Sequence, residues 1–174
     1  EAKEALARLR KMGIKRFVML TGDHTVTAQA VAKQLGIDEV HAELLPEDKV
    51  REVQKLKDTG HVVAFIGDGI NDSPSIALAD IGIAMGSGTD VAVETSDIVL
   101  MRSSFEELVH AYGLTKATIR NMRQNILIAL ATVAFLFIGL FAGFIYMASG
   151  MFVHEASILI VIFNGLRLVK YNQK

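Results

Sequence analysis

The sequence predicts an α/β domain with a mainly parallel sheet, followed by a two-helix transmembrane hairpin. Three observations carry that expectation. Before residue 102, short apolar runs rich in β-branched residues alternate with helical patterns, the alternation that builds a parallel sheet covered on both faces. Lysines, arginines and acids crowd residues 1–123, whereas residues 125–166 carry a single formal charge, Glu155. Finally, residues 126–147 are 22 uncharged residues in a row (ILIALATVAFLFIGLFAGFIYM), enough at ~1.5 Å per residue to cross a hydrocarbon core of ~30 Å.

Taken in order, the strands are expected at Phe17–Leu20, Glu39–Ala42, Val62–Ile66, Ile81–Met85 and Ile98–Met101. Between them, Thr25–Leu35 and Pro46–Lys57 have helical spacing; Gly36 closes the first and Pro46 opens the second. Ser73–Ala79 and Thr89–Thr95 read as shorter helices. With no Ser-rich linker to interrupt it, the helix from about Ser104 is expected to run on into the membrane through a basic stretch, Lys116–Arg123. The first span is read as Ile126–Met147, the turn as Ala148-Ser149-Gly150 and the second span as Met151–Leu168. The expected organisation is an α/β domain over 1–112, a basic connector helix over 113–125, and the last two membrane helices with a short tail over 126–174. Lys116, Arg120 and Arg123 precede the hairpin, Arg167, Lys170 and Lys174 follow it, and the turn has no basic residue. The positive-inside rule therefore places the α/β domain and the C-terminus in the cytoplasm, most simply at a plasma (inner) membrane. A buried hairpin of a soluble protein is the opposing reading, and a domain this small has little interior in which to bury so many apolar residues.

The chain has 174 residues and a formal charge of −1, the size of a medium domain, or of a small one plus a membrane segment. Without a clustered basic surface, no nucleic-acid partner is expected. The absence of cysteine excludes disulfides, thiolate metal sites and a cysteine nucleophile within these residues. The sequence opens on EAKEALARLRKMG, without an initiator Met or the order of a signal peptide, and reads as a piece of something longer.

Loops at the C-terminal ends of parallel strands are where such sheets place chemistry. After the third strand comes GDGINDSP, residues 67–74. A dinucleotide-binding reading of its glycines fails because Asp72 stands at the third glycine position, where a carboxylate would repel pyrophosphate. Acids on a strand-end loop suit Mg²⁺, which takes one or two carboxylates plus phosphate and water oxygens. Asp68 is the expected direct ligand and Asp72 a supporting or water-mediated one, while Asn71 can donate to a phosphoryl oxygen. Helix capping by Asp72 or Ser73 ahead of Pro74 explains neither Asp68 nor Asn71. After the first strand, LTGDHTVTA at 20–28 offers the Thr21 hydroxyl and the Gly22 amide to phosphate, with Asp23 capping, holding the loop or meeting a nucleotide hydroxyl. Lys49 in LPEDK can balance phosphoryl charge. Together these residues form a phosphoryl-transfer constellation that lacks a nucleophile.

The combination of MLTGDHTVTA, PEDK, GDGINDSP and ADIGIAMGSGTDVAVETSDIVL, in this order and followed by two spans, resembles the P-type ATPases across essentially all the residues. The resemblance implies a partial haloacid-dehalogenase-like phosphorylation domain. It gives Thr21 the phosphoryl contact, Lys49 charge neutralisation and Asp68 the Mg²⁺, with Asn71 and Asp72 in support. It also implies ATP as cofactor and an aspartyl-phosphate nucleophile in an Asp-Lys-Thr-Gly-Thr motif. No such string occurs here: KDTGH at 57–61 is a partial mimic, but Asp58 precedes its strand. The chain alone is therefore expected not to turn over ATP, and the missing N-terminal portion of the same pump becomes a required partner.

His154 and Glu155 lie a few residues into the second apolar stretch, where ionisable groups are costly and suggest function. Imidazole plus carboxylate suits a borderline divalent ion such as Zn²⁺ or Co²⁺; an interfacial position for both is the alternative. HEASILIVIFNGLRL at 154–168 resembles the last helix of the heavy-metal branch, nearest its cobalt/zinc-type subgroup, and leaves Ser157 as a further candidate ligand. The expected function is ATP-driven transport of a Zn, Co or Cd-class cation. The alternatives are copper transport, suggested by Met147, Met151 and Ser157, a non-catalytic membrane-anchored module that binds Mg²⁺ or phosphate, and a soluble dehalogenase-type phosphatase.

Overall fold

A computed structural model describes residues 1–86, 90–102 and 104–171. The chain divides into two compact units, Glu1–Val109 and His110–Lys174.

The first unit opens with α1, Ala2–Lys11, which buries Ala5, Leu6 and Leu9 along one stripe. Strand β1, Val18–Leu20, leads into α2, Thr25–Leu35, which ends as expected at Gly36 in the left-handed conformation (φ 76°). Strand β2, Glu39–His41, pairs in parallel with β1, Val18 opposite Glu39 and Leu20 opposite His41. Helix α3, Pro46–Asp58, starts on Pro46, and the Leu45 N–H donates to Asp48 Oδ2 at 2.9 Å, satisfying one end-group of the helix.

Strands β3 (Ala64–Gly67), β4 (Ile81–Met85) and β5 (Ile98–Leu100) form a second parallel sheet in that order. The one sheet expected is thus two among the described residues: β1 pairs with β2, and β3 with β4. A 3₁₀ turn, Ile70–Asp72, and helix α4, Ser73–Leu78, join β3 to β4. The core of this half is Ile76, Ala84 and Ala92, with Phe65 and Val93 packed against it. Helix α4 lies so close to the sheet that a methyl group on Gly82 would sit 2.5 Å from the Ile76 carbonyl oxygen. Of the helix expected at Thr89–Thr95, α5 is seen over Asp90–Thr95; Thr89 lies outside the described residues, as does Lys174 at the tail.

Helix α6 runs unbroken from Phe105 to Phe141, capped by the Ser104 hydroxyl, which accepts from the Glu106 N–H at 3.1 Å. Its apolar half and that of α7, Met147–Leu166, are long and apolar enough to cross a membrane. Both apolar stretches lie almost wholly exposed, so lipid, not a protein interior, is the solvent they suit. The hairpin turn departs from expectation. It falls before Met147, not at residues 148–150. Gly143 adopts a left-handed φ of 77°, its N–H donates to the Leu140 carbonyl, and the Phe144 and Ile145 N–H groups both reach the Gly139 carbonyl. Ser149 is a capping residue in the first turn of α7, its Oγ accepting from the Tyr146 N–H at 3.0 Å. His154 and Glu155 consequently stand two turns into α7.

Inside this second unit an amide cluster ties the helices together. Asn121 Nδ2 donates to the Asn164 carbonyl at 2.6 Å, and Asn164 Nδ2 donates to Asn125 Oδ1 at 2.9 Å and to Gln124 Oε1 at 3.3 Å. Arg167 completes it by donating to Asn164 Oδ1 at 3.1 Å.

Candidate functional site

Two loops from different sheets meet through one ion pair. Lys49, in the first turn of α3, donates from Nζ to Asp72 Oδ1 at 2.8 Å, and both side chains are largely buried, 16% and 14% exposed. Removing water from such a pair strengthens it and fixes both geometries. Asp72 can take that place because Gly67 has no side chain: a Cβ there would lie 2.5 Å from the Asp72 Cβ. The Asp72 N–H is bonded to the Gly69 carbonyl at 3.1 Å, which closes the 3₁₀ turn.

Asp68 and Asn71 are exposed on the same turn, and Asp68 makes no hydrogen bond or ion pair among the described residues. An exposed carboxylate on the same loop as a neutralised one suits a hard cation that draws its other oxygens from phosphate and water. The residues therefore fit Mg²⁺, with Asp68 as the carboxylate ligand. No group of three or more His, Asp or Glu converges among the described residues.

On the loop after β1, Thr21 is half-buried and Gly22 and Asp23 are exposed. The Thr21 hydroxyl donates to Asp23 Oδ2 at 3.0 Å and accepts the Asp23 N–H at 3.1 Å. Its proton is thus committed to Asp23, and a phosphoryl oxygen would have to take it from that carboxylate. The Gly22 N–H has no partner among the described residues.

One residue that no sequence pattern singles out, Glu43, lies against the loop after β1. Its backbone is left-handed (φ 58°), its N–H donates to the Asp23 carbonyl at 2.9 Å, and its Oε1 accepts the Thr25 N–H at 3.4 Å. The Thr25 N–H, followed by the neighbouring His24 ring, holds the Glu43 carboxyl below the usual glutamate range. Asp58 sits at the C-terminus of α3 and accepts from Gln54 Nε2 at 2.7 Å, so the KDTGH string is a helix end and not a strand-end nucleophile.

On α7 the three remaining candidates are not drawn together. His154 Nδ1 and Glu155 Oε1 are 4.0 Å apart, both side chains well exposed, and Ser157 Oγ donates to the His154 carbonyl at 2.8 Å. Consecutive helical residues point about 100° apart, so His154 and Glu155 alone do not close a coordination sphere.

Residues 1–80 match the haloacid dehalogenase-like hydrolase family. The chain is 47% identical over 170 residues to the zinc-transporting ATPase of Bacillus subtilis (strain 168), aligning 98% of itself with 26% of that protein. It is likewise 47% identical over 173 residues to the manganese-exporting P-type ATPase of Mycobacterium bovis, covering 98% of itself and 24% of the relative. Its fold superposes with a TM-score of 0.88 on a crystal structure of a zinc-transporting PIB-type ATPase in its E2·Pi state, at 42% identity, over 97% of this chain and 27% of that one. The chain spans about a quarter of the length of the curated relatives it matches.

Proposed function

The chain belongs to the heavy-metal-transporting P-type ATPase family, and from that premise we propose that the protein containing it drives a divalent transition-metal cation across a membrane with ATP. The carrying observation is the Lys49–Asp72 contact of 2.8 Å, which joins the C-terminal loops of both sheets while Asp68 stays without a partner. In this reading an aspartate outside these 174 residues accepts the phosphoryl group. Each of the chain's own residues then has a place around it. Lys49, held by Asp72, sets a positive charge beside the phosphoryl oxygens; the Gly22 N–H and the Thr21 hydroxyl donate to them; Asn71 supports from the facing turn. Asp68 holds Mg²⁺, which when bound neutralises phosphoryl charge. Strands β1 and β3 each pair on one side only among the described residues. A strand bearing the nucleophile between them would deliver it to this edge.

For the transported ion, His154 and Glu155 on α7 favour a borderline divalent cation such as zinc, cobalt or cadmium, completed by ligands from other helices. A copper reading is kept alive by one observation: with α7 starting at Met147, Met147 and Met151 are one turn apart on the same helix, both exposed, and thioethers suit Cu(I). The cations Lys116, Arg120, Arg123, Arg167 and Lys170 support a cytoplasmic position for the α/β domain and the chain's end.

The test is metal-stimulated phosphorylation of the intact protein by ATP across a panel of zinc, cobalt, cadmium, manganese and copper. An acid-stable, hydroxylamine-sensitive phosphoenzyme that requires Mg²⁺ and is strongly reduced by Lys49→Met supports the pump. No phosphoenzyme with any metal would leave a non-catalytic module.

A further inference from the structure

Glu43 is the single non-glycine residue with positive φ among the described residues, at φ 58°. A left-handed backbone is unfavourable for an L-residue, so the surroundings must hold it there. Three sets of bonds do. The Glu43 N–H donates to the Asp23 carbonyl at 2.9 Å, the next N–H, of Leu44, donates to the Thr21 carbonyl at 3.0 Å, and the Thr21 N–H donates back to the His41 carbonyl at 3.0 Å. The Glu43 carboxylate also does what α2 cannot do for itself. His24, the N-cap, makes no side-chain cap bond and the first turn has no acid. Glu43 Oε1 fills that gap, accepting the Thr25 N–H at 3.4 Å with His24 Nδ1 3.6 Å away. Six residues after Glu43 comes Lys49, and the intervening Leu45–Asp48 turn is fixed by its own cap.

Resting on the phosphoryl-transfer reading above, we propose that Glu43 is a positioning residue, a latch that sets the spacing between Thr21 and Lys49. It touches neither phosphate nor metal. Its backbone and carboxylate clamp the loop after β1 against the loop that leads to α3, so the donors of one and the ammonium of the other face the same phosphoryl group at a fixed distance. Losing the clamp leaves both groups present and misplaced.

The experiment is phosphorylation of the intact protein by inorganic phosphate with Mg²⁺, comparing wild type, Glu43→Gly and Glu43→Gln, each also combined with Thr21→Ala. Glu43→Gly keeps the left-handed backbone, which glycine adopts freely, and deletes the carboxylate cap on Thr25; Glu43→Gln keeps an acceptor at the same reach. The latch predicts that Glu43→Gly raises the phosphate concentration for half-maximal phosphorylation about tenfold in the folded fraction, as misplacement of an intact site does. It also predicts that Glu43→Gln stays within about threefold of wild type, and that Glu43→Gly adds little once Thr21→Ala is present. A merely structural role would lower the yield of folded protein and leave the half-maximal concentration unchanged, which overturns the latch, as would full additivity with Thr21→Ala. If wild type takes no phosphate while ligand-free folding is intact, the phosphoryl-transfer reading itself fails and the latch falls with it.

Discussion

Adding one methyl group at Gly67 should break the centre of the site, and the size of the effect follows from the geometry. The new Cβ of Gly67→Ala would stand 2.5 Å from the Asp72 Cβ and 3.0 Å from its Cγ and Oδ2. Carbon atoms rest at about 3.5–4.0 Å, so Asp72 has to withdraw by about 1 Å. Its bond to Lys49 is 2.8 Å, and that withdrawal carries it past the hydrogen-bonding range of about 3.2 Å. Overpacking of this kind costs about 1–3 kcal/mol. With a urea dependence of roughly 1–3 kcal/mol per molar, the unfolding midpoint of the first unit should drop by about 1 M. Far-UV circular dichroism of the chain in mild detergent reads this, because micelles hold the apolar helices folded while urea melts the α/β unit. Gly69→Ala is the control: it lies on the same loop, but a Cβ there meets nothing nearer than 3.9 Å and the backbone φ is −117°. Superimposable curves for the two variants would refute the claim that Gly67 is glycine to make room for Asp72.

Acid should unfold the first unit by a defined route. Asp38 is held below the ordinary carboxylate range first by the Arg10 guanidinium, Asp80 by the Val63 N–H and Glu43 by the Thr25 N–H. Lowered folded-state values mean that the unfolded chain takes up protons first, so this stability is complete above about pH 5 and declines as pH falls below it. The urea midpoint should fall below that pH, less steeply in Asp80→Asn; a midpoint that rises on acidification contradicts the assignment. In the second unit, Asn164→Leu removes three side-chain hydrogen bonds, to Asn125, Gln124 and Arg167. Two of these, to Asn125 and Gln124, cross to α6; at about 0.6 kcal/mol each in a membrane, the helix pair should lose about 1 kcal/mol, seen as a lower SDS fraction at the unfolding midpoint. An unchanged midpoint would show that the amide cluster does not hold α6 to α7. His154→Ala should weaken metal-stimulated ATPase activity of the intact protein without altering the urea midpoint of the α/β unit; normal metal activation would return His154 to an interfacial role.

Much of the fold was legible because its signals are local. Helix α2 runs over the expected Thr25–Leu35, with Gly36 as its left-handed cap, and β4 over the expected Ile81–Met85, an apolar run between turn residues. The hairpin turn was misplaced because residues 142–146 are as apolar as the spans they join, so hydropathy has no edge there, and the small residues Ala148–Gly150 attracted the assignment instead. Only the left-handed Gly143 and the Ser149 cap locate it. In the site, residue types on strand-end loops pointed to Thr21, Lys49 and Asp68. The partnership of Lys49 with Asp72 spans 23 positions and two sheets, a relation no local pattern encodes. Glu43 was invisible for a similar reason: it is one of many exposed glutamates until its backbone conformation is known.

The most direct test is a Mg²⁺ titration of phosphoenzyme formation by the intact protein, comparing wild type with Asp68→Asn. Asparagine keeps the shape and one oxygen but loses the charge that a hard cation needs. A shift of the half-maximal Mg²⁺ concentration by more than about tenfold, with the folded fraction unchanged, is the predicted result. Coincident titrations for the two proteins would show that Asp68 does not hold the metal.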